Sequence, residues 1–244
     1  MRMNFARLLA AASLVLAASI AHSVPMQLTG VTGPAMGGVY TSPYLGLVGT
    51  PGQSTSQLAT SGIPTTIICD DFLTDMSVGQ FWQASATSLS ALNGLSSPDL
   101  ALKFGTSGSA AAQQSAYMTL GYLAEELVAV DQSTPAGAAQ AGQLSFAIWA
   151  VYDPAALNSL SGANLTGAQA DLSAAAAAIK VPGQNSPLDY ARVQVYTPNP
   201  SSSAQEFLVV DPSNVPEPGM SALFGAGFLG LILLAARRRR TRSL

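Results

Sequence analysis

Seventeen residues without a charge, Met220 to Ala236, run directly into Arg237-Arg238-Arg239-Arg240. No other stretch limits the chain so strongly, because a segment this apolar needs the interior of a protein or of a membrane. At 1.5 Å per residue a helix over 220–236 is about 25 Å long, within the range that spans a hydrocarbon core. The arginines cannot cross cheaply and stay cytoplasmic under the positive-inside tendency. The sequence thus predicts a single C-terminal transmembrane helix over about 220–236, with the bulk of the chain on the other side. Gly225-Ala226-Gly227-Phe228-Leu229-Gly230 inside it spells G-x-G-x-x-G. A dinucleotide site needs a preceding strand, a crossover helix and an acid about twenty residues on. Those are missing, so the glycines are assigned to close helix packing.

The opposite end carries a second address. Arg2 and Arg7 precede Leu8–Ile20, a run of small and apolar residues closed by Ala21-His22-Ser23. That order predicts a secretory signal peptide over 1–23, cut by signal peptidase after Ser23. Its apolar run is too short to span a bilayer. Cleavage removes His22, the single histidine of the chain. The mature protein then has no imidazole, which excludes Ser-His-Asp and Cys-His catalysis and histidine-based zinc sites.

Between the two ends lies an exported body, 24–214. It keeps three of the ten basic residues and twelve of the thirteen acidic ones, a net charge of −9 where the whole chain shows −3. A body so short of basic residues offers no stripe for nucleic acid. The expected fold is α+β: a β-rich N-terminal third, central helices over about 110–179 and a C-terminal β-hairpin over about 191–210. Val39-Tyr40, Tyr44-Leu45 and Leu47-Val48 are expected as short strands, Ile63–Cys69 as a β-branched strand, and Ser77–Ala86 as a continuation of the sheet. Helices are expected over Ala110–Val130 (Tyr117, Leu120, Leu123, Ala124 and Leu127 inward), over Ala136–Val151 up to Asp153-Pro154, and over Thr166–Ile179 capped by Thr166.

Val215-Pro216-Glu217-Pro218-Gly219 forms an extended linker before the apolar segment. The series V-P-E-P-G, apolar helix and arginine cluster resembles the PEP-CTERM sorting signal of Gram-negative bacteria, a tail over 215–244 here. The resemblance implies recognition of Pro216, Glu217 and Pro218 by an exosortase-like membrane enzyme, with Arg237, Arg238, Arg239 and Arg240 as the stop. It further implies a membrane-anchored precursor, delivery to the cell surface or outside, and life beside an exopolysaccharide matrix.

Cys69 is the one thiol. The local reading is a small buried hydrophobe at a strand end, its thiol pKa raised by Asp70 and Asp71. Cys69-Asp70-Asp71-Phe72, Tyr122-Leu123 and Ala147-Ile148-Trp149 also resemble the thioester domains of bacterial surface adhesins. That likeness implies a bond from Cys69 to a glutamine four residues before Trp149. Ser145 holds that position, which leaves Gln143, and beyond it Gln140, as the nearby glutamines.

Asp70, Asp71 and Asp75 are expected to be solvated, or Asp75 to cap a turn; a weak calcium site is the alternative, although the D-x-[DN]-x-[DN]-G pattern of a calcium loop is missing. Glu125-Glu126 is expected on the wet side of its helix, and Trp82 and Trp149 in the core. No metal or cofactor is implied. The leading expectation is a non-enzymatic surface or matrix protein. A covalent adhesin using Cys69 comes second, and a carboxylate-based polysaccharide hydrolase third, although no spacing selects a pair of acids.

Overall fold

The computed structural model describes residues 23–93, 102–104, 108–180 and 190–210. The signal peptide through His22 lies outside them, as do Pro216, Glu217, Pro218, the 220–236 segment and Arg237–Arg240. Among the described residues no helix is long and apolar enough to cross a membrane.

Among the described residues eight strands and four α-helices follow one another: β1 (Val24–Val31), β2 (Ala35–Met36), β3 (Val39–Tyr40), β4 (Tyr44–Val48), α1 (Thr55–Ser61), β5 (Ile63–Cys69), β6 (Phe81–Ser88), α2 (Ala110–Ala129), α3 (Pro135–Ala150), α4 (Gly162–Ala178), β7 (Val193–Pro198) and β8 (Phe207–Val210). Six of the strands close into an antiparallel barrel in the order β1-β4-β5-β8-β7-β6. The barrel closes where Met26 of β1 faces Trp82 of β6. β2 and β3 form a separate two-stranded ribbon.

The mixture of helix and strand is the expected one; its assembly is not. The C-terminal hairpin does not stand apart. β8 pairs with β5 through Cys69 and Phe207, and β7 pairs with β6, so the hairpin completes the N-terminal sheet. β1, β2 and α1 have no counterpart among the expected elements. Pro25 and Gly30 interrupt the alternation of β1, and α1 buries Leu58 alone.

Alternation across the register fills the barrel. Met26 lies opposite Val48 and Trp82, Ile67 opposite Tyr44, and Phe207 opposite Cys69 and Tyr196. All are buried. Gly46 makes room among them, since a Cβ there would lie 2.9 Å from Ile67 Cδ1.

α2 and α3 lie over the outer face of β5 and β8. α2 starts at Ser109, whose hydroxyl accepts from Ala112 N at 3.2 Å, and buries the five expected residues. α3 starts at Thr134, which accepts from Gly137 N at 3.1 Å, with Pro135 in its first turn.

Three of the boundaries that differ from expectation have a local cause. α4 begins at Gly162 after Ser161, and Thr166 sits inside it, bonding back to Gly162 O at 3.2 Å rather than capping. α3 ends at Ala150, whereas Asp153 accepts from Ala155 N and opens a 3-10 turn over Pro154–Ser159. β6 starts at Phe81, because Ser77–Gln80 is a turn closed by Gln80 N to Ser77 O at 3.0 Å.

Candidate functional site

At the end of β5 the chain turns into the seam between the barrel and α2 and α3. Asp70 and Asp71 are 1% and 2% exposed. The expected solvation of this pair is therefore overturned. Asp75 is exposed, and Asp71 rather than Asp75 holds the turn, accepting from Leu73 N at 3.0 Å. Buried carboxyls are costly unless paired or hydrogen-bonded, and the seam supplies both remedies.

Asp71 pairs with Lys103, whose ammonium also donates to Thr74 Oγ1 at 3.0 Å and to Ala204 O at 2.9 Å. Gln205 Nε2 donates to Asp71 O at 3.1 Å. The acceptor at the centre of the seam is Glu206, fully buried in the turn before β8. Its Oε1 accepts from Tyr117 Oη at 2.6 Å, and its Oε2 accepts from Lys103 N at 2.9 Å and from Thr197 Oγ1. Three separated parts of the chain, at Lys103, Tyr117 and Thr197, thus converge on one carboxylate.

Asp70 has no such shell. Neither oxygen receives a donor from an ordinary group, and its neighbouring acid is Glu206. Burial first, and the Glu206 charge second, hold Asp70 far above the usual carboxylate range. Burial raises Glu206 as well, opposed by its bonds from Thr197 and Tyr117. Two facing carboxyls hold one proton between them when both cannot ionise. Three donors favour the charged form of Glu206, whereas Asp70, which has none of them, is the member pushed further toward its neutral form. Burial and Glu206 likewise push the Tyr117 phenol up, and burial and Asp70 do so for Tyr152.

Cys69 is buried, and its thiol donates to Asp71 O at 3.1 Å. Burial, then the Asp70 charge, raises its pKa, in the expected direction. The structure does not bring Gln143 to it. Gln143 bonds Asn164 at 3.2 Å and presses on Gly167, both of α4. Gln140 reaches Asp171. Ser145, two residues along α3 from Gln143, turns instead toward Ser42 O, and Ser42 Oγ accepts from Cys69 N at 3.0 Å. A two-residue step along a helix rotates a side chain by about 200°, so Gln143 faces α4 while Ser145 bonds Ala141 O and Ser42 O. Trp82 and Trp149 are core residues, Glu126 is exposed and Glu125 half-buried.

Beside the seam lies a small cleft of about 30 Å³, lined among others by Asp70, Phe72, Phe104, Trp149, Tyr152 and Asp153. Sequence reasoning missed Glu206, Tyr117, Thr197, Lys103 and Tyr152 as members of one cluster. One signal was present: Glu206 directly abuts the apolar run Phe207-Leu208-Val209.

No curated protein and no solved structure matches the chain. Residues 214–240, which include Pro216, Glu217, Pro218 and Arg237 to Arg240, match the PEP-CTERM protein-sorting motif, the mark of an exported protein sorted by an exosortase-like enzyme.

Proposed function

We propose that the chain is a non-enzymatic protein of the cell surface or extracellular matrix, held as a membrane-anchored precursor by its tail and released outward after exosortase processing. The observation that carries this reading is the sorting motif over 214–240. The apolar residues 220–236 anchor the precursor, Arg237–Arg240 hold its cytoplasmic end, and Pro216-Glu217-Pro218 present the segment that is processed. An acidic body of net charge −9 suits an exported, soluble load. The body's densest group of acids supports a structural role for them: Glu206 and Asp71 spend their acceptors on Tyr117, Thr197, Lys103 and local backbone.

The test replaces Pro216, Glu217 and Pro218 by alanine in the producing cell, followed by fractionation and mass measurement. The expected result is retention of the full-length precursor in the membrane fraction and loss of the shortened surface form. Unchanged maturation and surface delivery would overturn the proposal. Intact mass also reads Cys69: a free, unmodified thiol after denaturation, with no ammonia lost, is expected.

A further inference from the structure

Lys103 is one of two lysines in the chain, and the fold spends it inside the acid seam. Its ammonium contacts Asp71 Oδ2, and the two side chains are 14% and 2% exposed. The backbone at both partners is tied to one turn. Glu206 Oε2 accepts from Lys103 N at 2.9 Å, and Gln205 Nε2 donates to Asp71 O at 3.1 Å. The two Asp71 oxygens are used differently: Oδ1 accepts from Leu73 N at 3.0 Å, whereas Oδ2 faces the amine. Thr74 Oγ1 at 3.0 Å and Ala204 O at 2.9 Å also accept from the amine.

An amine held against a carboxyl in a nearly dry seam is the starting arrangement for an amide. We propose that Lys103 and Asp71 form a modification site, at which they condense into an Nζ–Cγ isopeptide bond with loss of one water. One proton passes from the ammonium to Oδ2 along their contact, leaving a neutral amine and a neutral acid. Desolvation favours that pair over two buried charges. The amine lone pair attacks Cγ, whose other oxygen is polarised by the Leu73 N–H. The Nζ–Cγ bond forms and the Cγ–Oδ2 bond breaks. Oδ2 departs as water, carrying the first proton and a second one from the nitrogen. Oδ1 stays on Leu73 N as the amide carbonyl, and the one remaining N–H keeps Ala204 O as acceptor. No further reactant is consumed. Groups fixed against one another reach effective molarities of about 10⁵–10⁸ M, which promotes a condensation that bulk water opposes. The single cysteine leaves the chain without an internal disulfide. This amide would instead close the chain from 71 to 103, with β6 inside the loop, under any redox condition.

The test measures the intact mass of the denatured protein purified from its producing cell, and then maps its tryptic fragments. The protein is expected to be lighter by one water than the mass calculated between its sequenced ends. Fragment spectra should place that deficit in a branch joining Lys103 to Asp71, and trypsin should leave the chain uncut after Lys103. Because the mass is referred to the ends actually found, a failure of tail processing does not alter this readout. Lys103→Arg keeps a cation for Asp71 but lacks a usable nucleophile, and it is expected at full mass. If that variant does not fold, the fragment map of the unaltered protein carries the test alone. Full mass in the unaltered protein, cutting after Lys103, or a deficit that persists in Lys103→Arg would overturn the proposal and leave an ordinary ion pair.

Discussion

The two halves of the barrel wall solve the burial problem differently. Along β6, β1 and β4 the wall is close to one layer thick among the described residues, with the short α1 as its main neighbour: Trp82, Met26 and Val48 point in and are buried, while Phe81 and Leu45 point out and are 43% and 45% exposed. Along β5, β8 and β7 the wall is sandwiched. Ile67, Phe207 and Tyr196 fill the barrel, and Ile68, Leu208 and Val195 on the opposite face are just as buried beneath the helices. Every buried acid of the described body lies on the sandwiched side, where Asp70, Asp71 and Glu206 sit within the seam. Single-layer sheet leaves polar groups to water; sandwiched sheet must answer each one from within. The two sides should therefore respond to mutation on different scales.

The largest effect is expected at Glu206. Replacing it by alanine strands Tyr117 Oη, Thr197 Oγ1 and Lys103 N and leaves Asp70 without its partner. A broken buried charge network of this kind costs about 3–5 kcal/mol, read as a fall in the urea midpoint. Glu206→Gln keeps one carbonyl acceptor and should lose clearly less. A loss below about 1 kcal/mol for Glu206→Ala, the range of surface changes, would erase the distinction between the two sides.

Tyr117→Phe is a narrower cut through the same network. It removes one bond, Oη to Glu206 Oε1 at 2.6 Å, and keeps the ring that packs in the core. Hydrogen bonds to charged groups contribute about 1.5–3 kcal/mol, and that is the expected loss on unfolding. In the Glu206→Ala background the same substitution should cost much less, because the bond is already gone. Simple additivity in that double-mutant cycle would mean that Tyr117 and Glu206 do not act on one another.

Titration sharpens the comparison without changing a side chain. The folded-state pKa of Asp70 is raised by burial and by Glu206, and that of Glu206 is raised by burial. The native body thus holds a proton that the unfolded chain releases above about pH 4. The stability this contributes is fully present below that pH and is lost as pH rises toward the folded value, by about 1.4 kcal/mol per pH unit while one proton separates the states. Urea midpoints should therefore fall between pH 5 and pH 8, and Asp70→Asn should flatten the trend. A slope unaltered by Asp70→Asn would place the proton elsewhere. Asp131, at the exposed end of α2, behaves oppositely: bonds from Ser133 lower its pKa, so its contribution is lost as pH falls.

What was legible in the sequence follows the same division. Ile63–Cys69 declares a strand through its β-branched residues, and α2 and α3 declare themselves through apolar spacing, both local features. The seam is not local. Asp70 and Glu206 stand 136 residues apart, and Lys103 belongs to neither neighbourhood. Asp70 and Asp71 beside one another look like a wet surface until barrel closure and the helices cover them. α4 shows a smaller failure of the same type. Thr166 has the chemistry of a cap, but a helix interior also accepts a threonine that bonds back four residues, and only Gly162–Asn164 packing toward Gln143 extends the helix earlier. The sorting tail is legible because its function is written in residue order and charge, with no folding partner required.

The smallest effect is expected where the wall is a single layer. Phe81 faces outward, 43% exposed, and Phe207 faces the barrel interior against Tyr44 and Trp82. Truncating Phe207 to alanine opens a cavity among fixed neighbours and should cost about 3–5 kcal/mol. Truncating Phe81 opens nothing, since water fills the vacated space, and it forfeits only the part of the ring that leans on the sheet. Its loss should stay near 0.5–1 kcal/mol, about the scale of a cross-strand contact. The same residue type on the two faces thus isolates burial from chemistry. If Phe81→Ala cost as much as Phe207→Ala, the outer face of β6 would have to be covered in solution, and the single-layer side of the barrel would be sandwiched too.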